Sequence, residues 1–327
     1  MEEEKVAVFY SIIIPTFNAD QYIEQCIQSV LGQSYKDFEI IVVNDESKDD
    51  TEKIVQNIAR YHPVISTEYI PHGGPGAARN AGVSKAHGKY VIFLDADDYW
   101  TNPYLLEQLR EKLLQREVDI VMFQMDKYAE NGKILKKYRK GPFPSNKDYY
   151  QLEEVYEILV RDGQVLASSC NKCVRRSLLE KEHITFQEGG LAEDIDWVLQ
   201  LFSYVKTISF LINISYAYRR HKAGSVSQNK AGSEYQAIMI EDWADRLKRH
   251  EVPNERAVSG FLAFEYGICL GYRQYLSSDM KQMLKDHQYL LDYALDKKTR
   301  LIKQFHHIFG LNLTCVAVRF YLFLRKL

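Results

Sequence analysis

Four apolar runs, each followed by a segment of helical period, fill roughly the first hundred residues and restrict them to a sheet with helices packed on it. Phe9 to Pro15 (FYSIIIP) is a β-branched run with the form of a buried strand. Asn18 to Leu31 carries Tyr22, Ile23, Cys26, Ile27 and Val30 at helical spacing, so it should pack on that strand. Phe38 to Val43 reads as a second strand, and Asp49 to Tyr61, with Ile54, Val55 and Ile58 on one face, as a second helix. Val64 to Ile70 is a third, edge-like strand. Gly73 to His87 begins with glycines and becomes helical, and Tyr90 to Leu94 is the fourth strand. This alternation predicts an α/β protein with a doubly wound, mainly parallel sheet.

Beyond Trp100 the pattern loosens. Asn102 to Arg116 reads as a helix, Asp119 to Asp126 as a strand, and the basic stretch Lys133 to Asn146 as a solvated loop or hairpin. Leu152 to Leu159 and Glu193 to Phe202 should be helices, with a strand near Lys206 to Leu211 and helices from about Ser233 onward. The 46% hydrophobic and 26% charged residues suit a soluble globular chain, and a net charge of −2 gives no reason to expect nucleic acid as a partner. Cys170 and Cys173 have CxxC spacing but no second pair and no histidine at zinc spacing. The five scattered cysteines therefore read as reduced thiols of a cytoplasmic protein. The acidic start Met1-Glu-Glu-Glu-Lys5 does not resemble an export signal.

The chemistry should sit where the strands end. Pro15-Thr16-Phe17-Asn18 follows the first strand, Asn44-Asp45-Glu46-Ser47 the second, and Asp95-Ala96-Asp97-Asp98 the fourth. In an open α/β sheet that carboxyl edge is where ligands bind. Carboxylates at i and i+2, with a third adjacent, are hard oxygen ligands suited to Mg²⁺ or Mn²⁺ shared with a substrate diphosphate. A polar turn ending a strand is the plainer reading of the same residues. Gly73 to Gly82 adds a glycine-bearing helix entry carrying Arg79, whose amides and guanidinium would favour an anion. Its glycines fit neither a Walker loop nor a dinucleotide fingerprint. A tight turn with a surface ion pair is the alternative.

Taken in order, these segments resemble the inverting family 2 glycosyltransferases with a GT-A fold. The likeness runs from about Ser11 to Ser227, through the three strand-end clusters, GGPGAARNAG, EDIDW and YRRHKAGSVS. It implies a GT-A catalytic domain over residues 1–230, with a nucleotide-binding half (1–105) and an acceptor-side half (106–230), followed by a helical region (231–327). It also implies that Pro15, Thr16 and Asn18 line the nucleoside of a nucleotide-sugar donor and that Asp45 hydrogen-bonds uracil. Arg79 and Asn80 would lie near the donor phosphates and ribose, Asp95 would contact ribose or sugar, and Asp97 would bind Mn²⁺ or Mg²⁺. The Glu193-Asp194 pair matches the family's catalytic acids, with Asp194 as the base. Arg219 or Arg220, with Ser225 and Ser227, match a late loop that closes on the diphosphate, and His221 beside them is a candidate further metal ligand. The acceptor implied is a glycan or a polyprenyl-diphosphate-linked glycan in surface polysaccharide synthesis. Two positions depart from the pattern. Glu46 stands where relatives have glycine, which bears on loop conformation and donor choice, and Cys173-Val174 replaces a Leu-aromatic pair.

The residues can be read beside the resemblance. Acids in the first turn of a helix favour its dipole by about 0.3–1 kcal/mol. That accounts for one or two of Glu193, Asp194 and Asp196 but not for three acids after Gly189-Gly190. A non-catalytic nucleotide-sugar binding module or partner subunit would keep Asp45 and lose Asp97 or Asp194, yet both are present. A nucleotidyltransferase should carry a glycine-rich basic loop directly after the first strand, which Pro15 to Asn18 is not. At the C-terminus, residues 296–327 hold seven Lys or Arg against one acid. Phe309, Leu313, Val316, Phe320 and Phe323 recur at three or four residues there. Such a basic amphipathic helix suits either an anionic membrane surface or packing on the preceding helices. Leu311 to Leu324, interrupted by Arg319, is too short to span a bilayer.

Overall fold

The computed structural model describes residues 8–129, 134–136, 143–191, 193–220 and 230–324. In chain order the elements are β1 (Tyr10–Thr16), α1 (Ile23–Leu31), β2 (Phe38–Asn44), α2 (Thr51–Ala59), β3 (Ile65–Tyr69), α3 (Gly74–Lys85) and β4 (Tyr90–Phe93). Next come β5 (Tyr99–Trp100), α4 (Leu105–Gln115), β6 (Ile120–Ala129), β7 (Ile134–Lys136), β8 (Tyr150–Gln151), α5 (Leu152–Arg161), β9 (Lys172–Arg175) and α6 (Arg176–Lys181). The chain continues through α7 (Glu193–Tyr204), β10 (Thr207–Arg220), α8 (Lys230–Lys248), α9 (Glu255–Cys269), α10 (Ser278–Asp286) and α11 (Lys297–Leu324).

Contacts divide the chain into two compact units. The first (1–152, 168–189 and 205–222) contains the sheet, which among the described residues has ten strands in the order β3-β2-β1-β4-β9-β6-β10-β5, with β7 and β8 on its flank. β1, β2, β3 and β4 run parallel, as the sequence predicts, and β3 is an edge. The chain steps outward from β1 to β3, then crosses back to place β4 on the other side of β1. The carboxyl ends of β1 and β4 thus flank a topological switch point, the place where such sheets open a crevice for ligands. Burial of Ile12, Ile13, Ile14, Ile40, Val42, Ile92 and Phe93 holds this half together. Removal of their apolar surface from water is worth about 25 cal/mol per Å².

Two strand readings need correction. β9 was not expected: it lies antiparallel between β4 and β6, with Cys173 opposite Ile92 and Val121. The residues read as a CxxC motif are therefore partly a buried strand. β10 extends through Arg220, well past the expected end at Leu211, because register shifts between Leu211 and Ile214 and between Ile214 and Tyr216 interrupt its alternation without ending its pairing to β6. β7 pairs antiparallel with β6, so Ile134–Lys136 of the basic stretch form the returning arm of a hairpin.

α3 packs on β1 through Gly82, where an added Cβ would collide with the Cγ2 methyl of Ile13. Ile13 is buried on a central strand and has no room to yield. Gly82→Ala is expected to cost about 1–3 kcal/mol despite its gain in helix propensity. Urea unfolding monitored by circular dichroism measures this, and a stability equal to the parent would contradict the packing.

The second unit (153–167, 190–204 and 223–327) is helical. α5 and α7 lie within the residues 1–230 that the resemblance implies as the catalytic domain, and by contacts they cluster with α8 to α11. Tyr156 of α5 packs on Phe202 of α7, with ring centroids 5.5 Å apart. Gln236 of α8 donates to Glu265 of α9 at 2.9 Å, and the Tyr266 hydroxyl donates to the Leu284 carbonyl at 2.5 Å.

Candidate active site

After Leu94, whose amide makes a sheet bond to the Ile13 carbonyl, the chain folds into a turn in which the Asp98 amide donates to the Asp95 carbonyl at 3.0 Å. Asp98 is buried beneath it. The Tyr216 hydroxyl donates to its Oδ2 at 2.6 Å, and the Arg219 amide donates to its Oδ1 at 2.6 Å. Burial, and then the neighbouring carboxylates of Asp97 and Asp95, push the Asp98 carboxyl well above the ordinary range, opposed by those two donors. A buried carboxyl is tolerated only when bonded in this way, so β10 fixes the turn that follows β4. Arg219 completes the clamp. Its Nε donates to the Asp97 carbonyl at 2.8 Å, its Nη2 donates to Gln25 Oε1 at 2.6 Å, and its guanidinium lies 4.8 Å from the Tyr22 ring centroid. The effect is to anchor Asp95 and Asp97, both partly exposed, at the sheet's carboxyl edge.

Arg79 reaches the same turn from α3. It is buried, with Nη2 2.8 Å from Asp95 Oδ1 and its guanidinium 5.2 Å from the Phe186 ring centroid. Arg79, expected near the donor phosphates, is a counter-charge for Asp95 in this structure. Asn80 clamps the backbone of Phe186, donating to its carbonyl and accepting from its amide, each at 2.8 Å. Gly76 lets that segment approach, since a Cβ there would stand 2.5 Å from the Gln187 carbonyl oxygen.

The amides of Gly73 and Gly74, at the start of α3, donate to the two carboxylate oxygens of Asp45 at 2.7 and 3.0 Å. The helix entry therefore already holds an anion, and it is the protein's own. His72 Nδ1 lies 2.9 Å from Asp45 Oδ2, and its ring stacks on the exposed Phe17 with centroids 4.4 Å apart. Asp45 thus organises a loop bearing a surface aromatic pair at the expected nucleoside position.

The loops after β1 and β2 are stitched together. The Thr16 hydroxyl donates to the Val43 carbonyl, Asn18 Oδ1 accepts from the Lys48 amide at 2.8 Å, and the Asn18 amide donates to Ser47 Oγ at 3.1 Å. Pro15 lies beside Val43 one residue before the end of β1. Asn18 has φ 48°, which asparagine tolerates. Glu46 has φ 61°, so the conformation that favours glycine is kept with glutamate in place, at a cost of roughly 1–2 kcal/mol. Its carboxylate binds the Lys48 ammonium at 2.7 Å and accepts from the His72 amide at 3.3 Å.

In the second unit Glu193 and Asp194 form the first turn of α7, partly exposed. Asp196 has a different task. It accepts from Trp243 Nε1 at 2.7 Å and from Gln200 Nε2 at 2.6 Å, while burial raises its carboxyl above the ordinary value. The third acid of the motif thus ties α7 to α8. Arg220 ends β10 opposite Ala129, but its side chain, together with His221, Ser225 and Ser227, lies outside the described residues.

Among the described residues no three His, Cys, Asp or Glu side chains gather to hold a metal alone. The carboxylates of the Asp95–Asp98 turn still fit a divalent cation of the open kind, in which one or two protein oxygens share the ion with diphosphate and water.

Sequence reasoning missed Tyr216 and Gln25 as supports of this turn, and it did not foresee that Arg219 clamps the Asp97 carbonyl. Gln25 and Arg219 are 194 positions apart, and no local pattern links them.

The family model described as Glycosyl transferase family 2 matches residues 11–181. Glycosyltransferase GlyA of Streptococcus pneumoniae serotype 4 is 29% identical over 67% of this chain, but the chain spans only 31% of GlyA's length. The protein named EpsH of Bacillus subtilis (strain 168) is 27% identical over 80% of this chain and 76% of its own. Staphylococcus aureus TarS residues 1–349, solved with UDP-GlcNAc, superpose with a TM-score of 0.72 at 20% identity, covering 95% of this chain and 90% of that one. By its curated name TarS is a poly(ribitol-phosphate) β-N-acetylglucosaminyltransferase, and it is 26% identical over 66% of this chain and 36% of its own length.

Proposed function

This chain belongs to glycosyl transferase family 2 and is a glycosyltransferase of GT-A fold; we propose that it transfers a sugar, with inversion, from a UDP-linked donor to a hydroxyl of a glycan or polyprenyl-diphosphate-linked glycan. The observation that carries the reading is the Asp95–Asp98 turn, clamped by Tyr216 and Arg219 at the switch point between β1 and β4. A UDP donor is supported by the family resemblance and by the UDP-GlcNAc complex of TarS. Work at the inner face of the cell membrane, where both nucleotide sugars and lipid-linked acceptors are found, fits that chemistry.

The acceptor oxygen bonds to the anomeric carbon as the bond from that carbon to the diphosphate oxygen breaks. The nucleoside diphosphate leaves with the electron pair, and the acceptor's proton passes to Asp194. Mn²⁺ or Mg²⁺ held by Asp97 and the diphosphate would offset the leaving group's negative charge. Asp45, Thr16 and Asn18 set the shape of the nucleoside side, and Arg79 keeps Asp95 in place through the ion pair described above.

Incubation with a panel of UDP-, GDP- and dTDP-sugars plus Mn²⁺, followed by proton NMR, tests this reading. One UDP-sugar should be consumed with inverted anomeric configuration, by transfer or by slow hydrolysis. Retention of configuration would remove the inverting mechanism. Binding without any consumption would favour the non-catalytic module.

A further inference from the structure

We infer that the C-terminal half of α11 docks flat on an anionic lipid surface, its apolar stripe set into the headgroup boundary, without crossing the bilayer. This rests on the membrane-side setting proposed above and says how contact is made. Among the described residues α11 is the one helix long and apolar enough to cross a membrane by length and composition. Its backbone argues against crossing. Gly310, at φ 72° and ψ 173°, breaks the helical path. The straight piece beyond it, Leu311 to Leu324, rises only about 21 Å at ~1.5 Å per residue, short of the ~30 Å of hydrocarbon.

That piece has two unlike sides. Thr314, Cys315 and Val318 are buried in the second unit. Gly271 admits them closely, since a Cβ there would stand 2.6 Å from Leu322 Cδ1 and 3.0 Å from Val318 Cγ1. Arg273 donates to Asn312 at 3.2 Å. A helix with one stripe bonded to protein in this way is not surrounded by lipid. On the other side Leu313, Val316, Phe320 and Phe323 stay exposed, Phe320 at 63%; Ile308 and Phe309, exposed as well, lie just before the break. Both sequence alternatives, packing and a free apolar face, are thus realised on different sides of one helix.

Charge identifies the occupant. Residues 296–327 hold seven Lys or Arg and one acid, and that acid, Asp296, is spent as a cap accepting from the amides of Lys298 and Thr299. Lys303 is paired with Asp292 at 2.9 Å, whereas Arg319 is exposed within the apolar piece. A second copy packed on this stripe would bring no acid to Arg319, since residues 297–327 contain none. Anionic headgroups meet both the cations and the phenylalanines.

The test is co-flotation of the full chain with phosphatidylcholine vesicles, with and without phosphatidylglycerol. Phe320→Glu with Phe323→Glu, and separately Val316→Glu, are compared with the parent after thermal melts show folding. The parent's partition onto anionic vesicles should exceed that of each variant, and its own partition onto neutral vesicles, by about tenfold or more. Alkaline carbonate should release the parent. Equal flotation of parent and variants, absence of flotation, retention after carbonate, or a dimer lost in the variants without vesicle binding would each overturn the inference. Hydrolysis of the UDP-sugar without vesicles is measured in the same samples and should be alike in all. Its absence from the parent too would count against the catalytic reading and leave the docking result intact.

Discussion

Asp97→Ala should lower turnover roughly 10²–10³-fold, the usual loss when one charge-stabilising element is removed from a group-transfer site, and should abolish the effect of Mn²⁺ on UDP affinity. The expectation rests on how the three acids divide. Asp98 is committed to Tyr216 and Arg219 beneath the turn, and Asp95 is paired with buried Arg79. Asp97 is partly exposed, and what β10 holds is its carbonyl, through Arg219 Nε. Truncating its side chain leaves that carbonyl contact in place, and a thermal melt of the variant shows what the side chain adds to stability. Calorimetric titration of UDP with and without Mn²⁺, beside initial rates, separates the two effects. Unchanged Mn²⁺-dependent UDP affinity would remove Asp97 as the metal ligand. A large loss of stability would instead give it the structural task that Asp98 performs.

What the sequence disclosed, and what it hid, follows from the range of the forces involved. The runs at Tyr10–Thr16, Phe38–Asn44 and Tyr90–Phe93 announced themselves because they are largely buried on both faces, with only Ser11 and Glu39 as polar residues inside them. β9 stayed hidden because Lys172 on it is fully buried with its ammonium 2.8 Å from Asn171 Oδ1, and a buried lysine in a short strand reads as a loop. The clustering of polar residues at one sheet edge was legible, since it depends on where strands end. The partners of Arg79 and Arg219 were not. Arg79 pairs with Asp95 and Arg219 holds the Asp97 carbonyl, contacts set by tertiary packing that no local pattern announces. Glu46 is the reverse case. The substitution at a glycine position was visible in the sequence, but only the backbone shows that the left-handed turn survives it.

Asp194→Asn should lower transfer by about 10²–10⁴-fold, the span of a general base, while UDP affinity stays at the parent's level. Asparagine keeps the size of the side chain and loses the capacity to take a proton from the acceptor hydroxyl, so the substitution isolates the proposed step. Its position adds weight to the choice among three neighbouring acids. Asp196, on the same helix, is bonded to Trp243 and Gln200 and holds α7 to α8, so changing it should register first as lost stability. Glu193 and Asp194 sit partly exposed in the opening turn, where the helix's own field favours a carboxylate. Assays at saturating donor, with hydrolysis followed beside transfer, distinguish a missing base from a missing donor site. A slow residual hydrolysis with transfer gone fits the assignment, because water can still attack a bound donor. Transfer at the parent's rate would take the base away from Asp194 and leave Glu193 as the next carboxylate to remove.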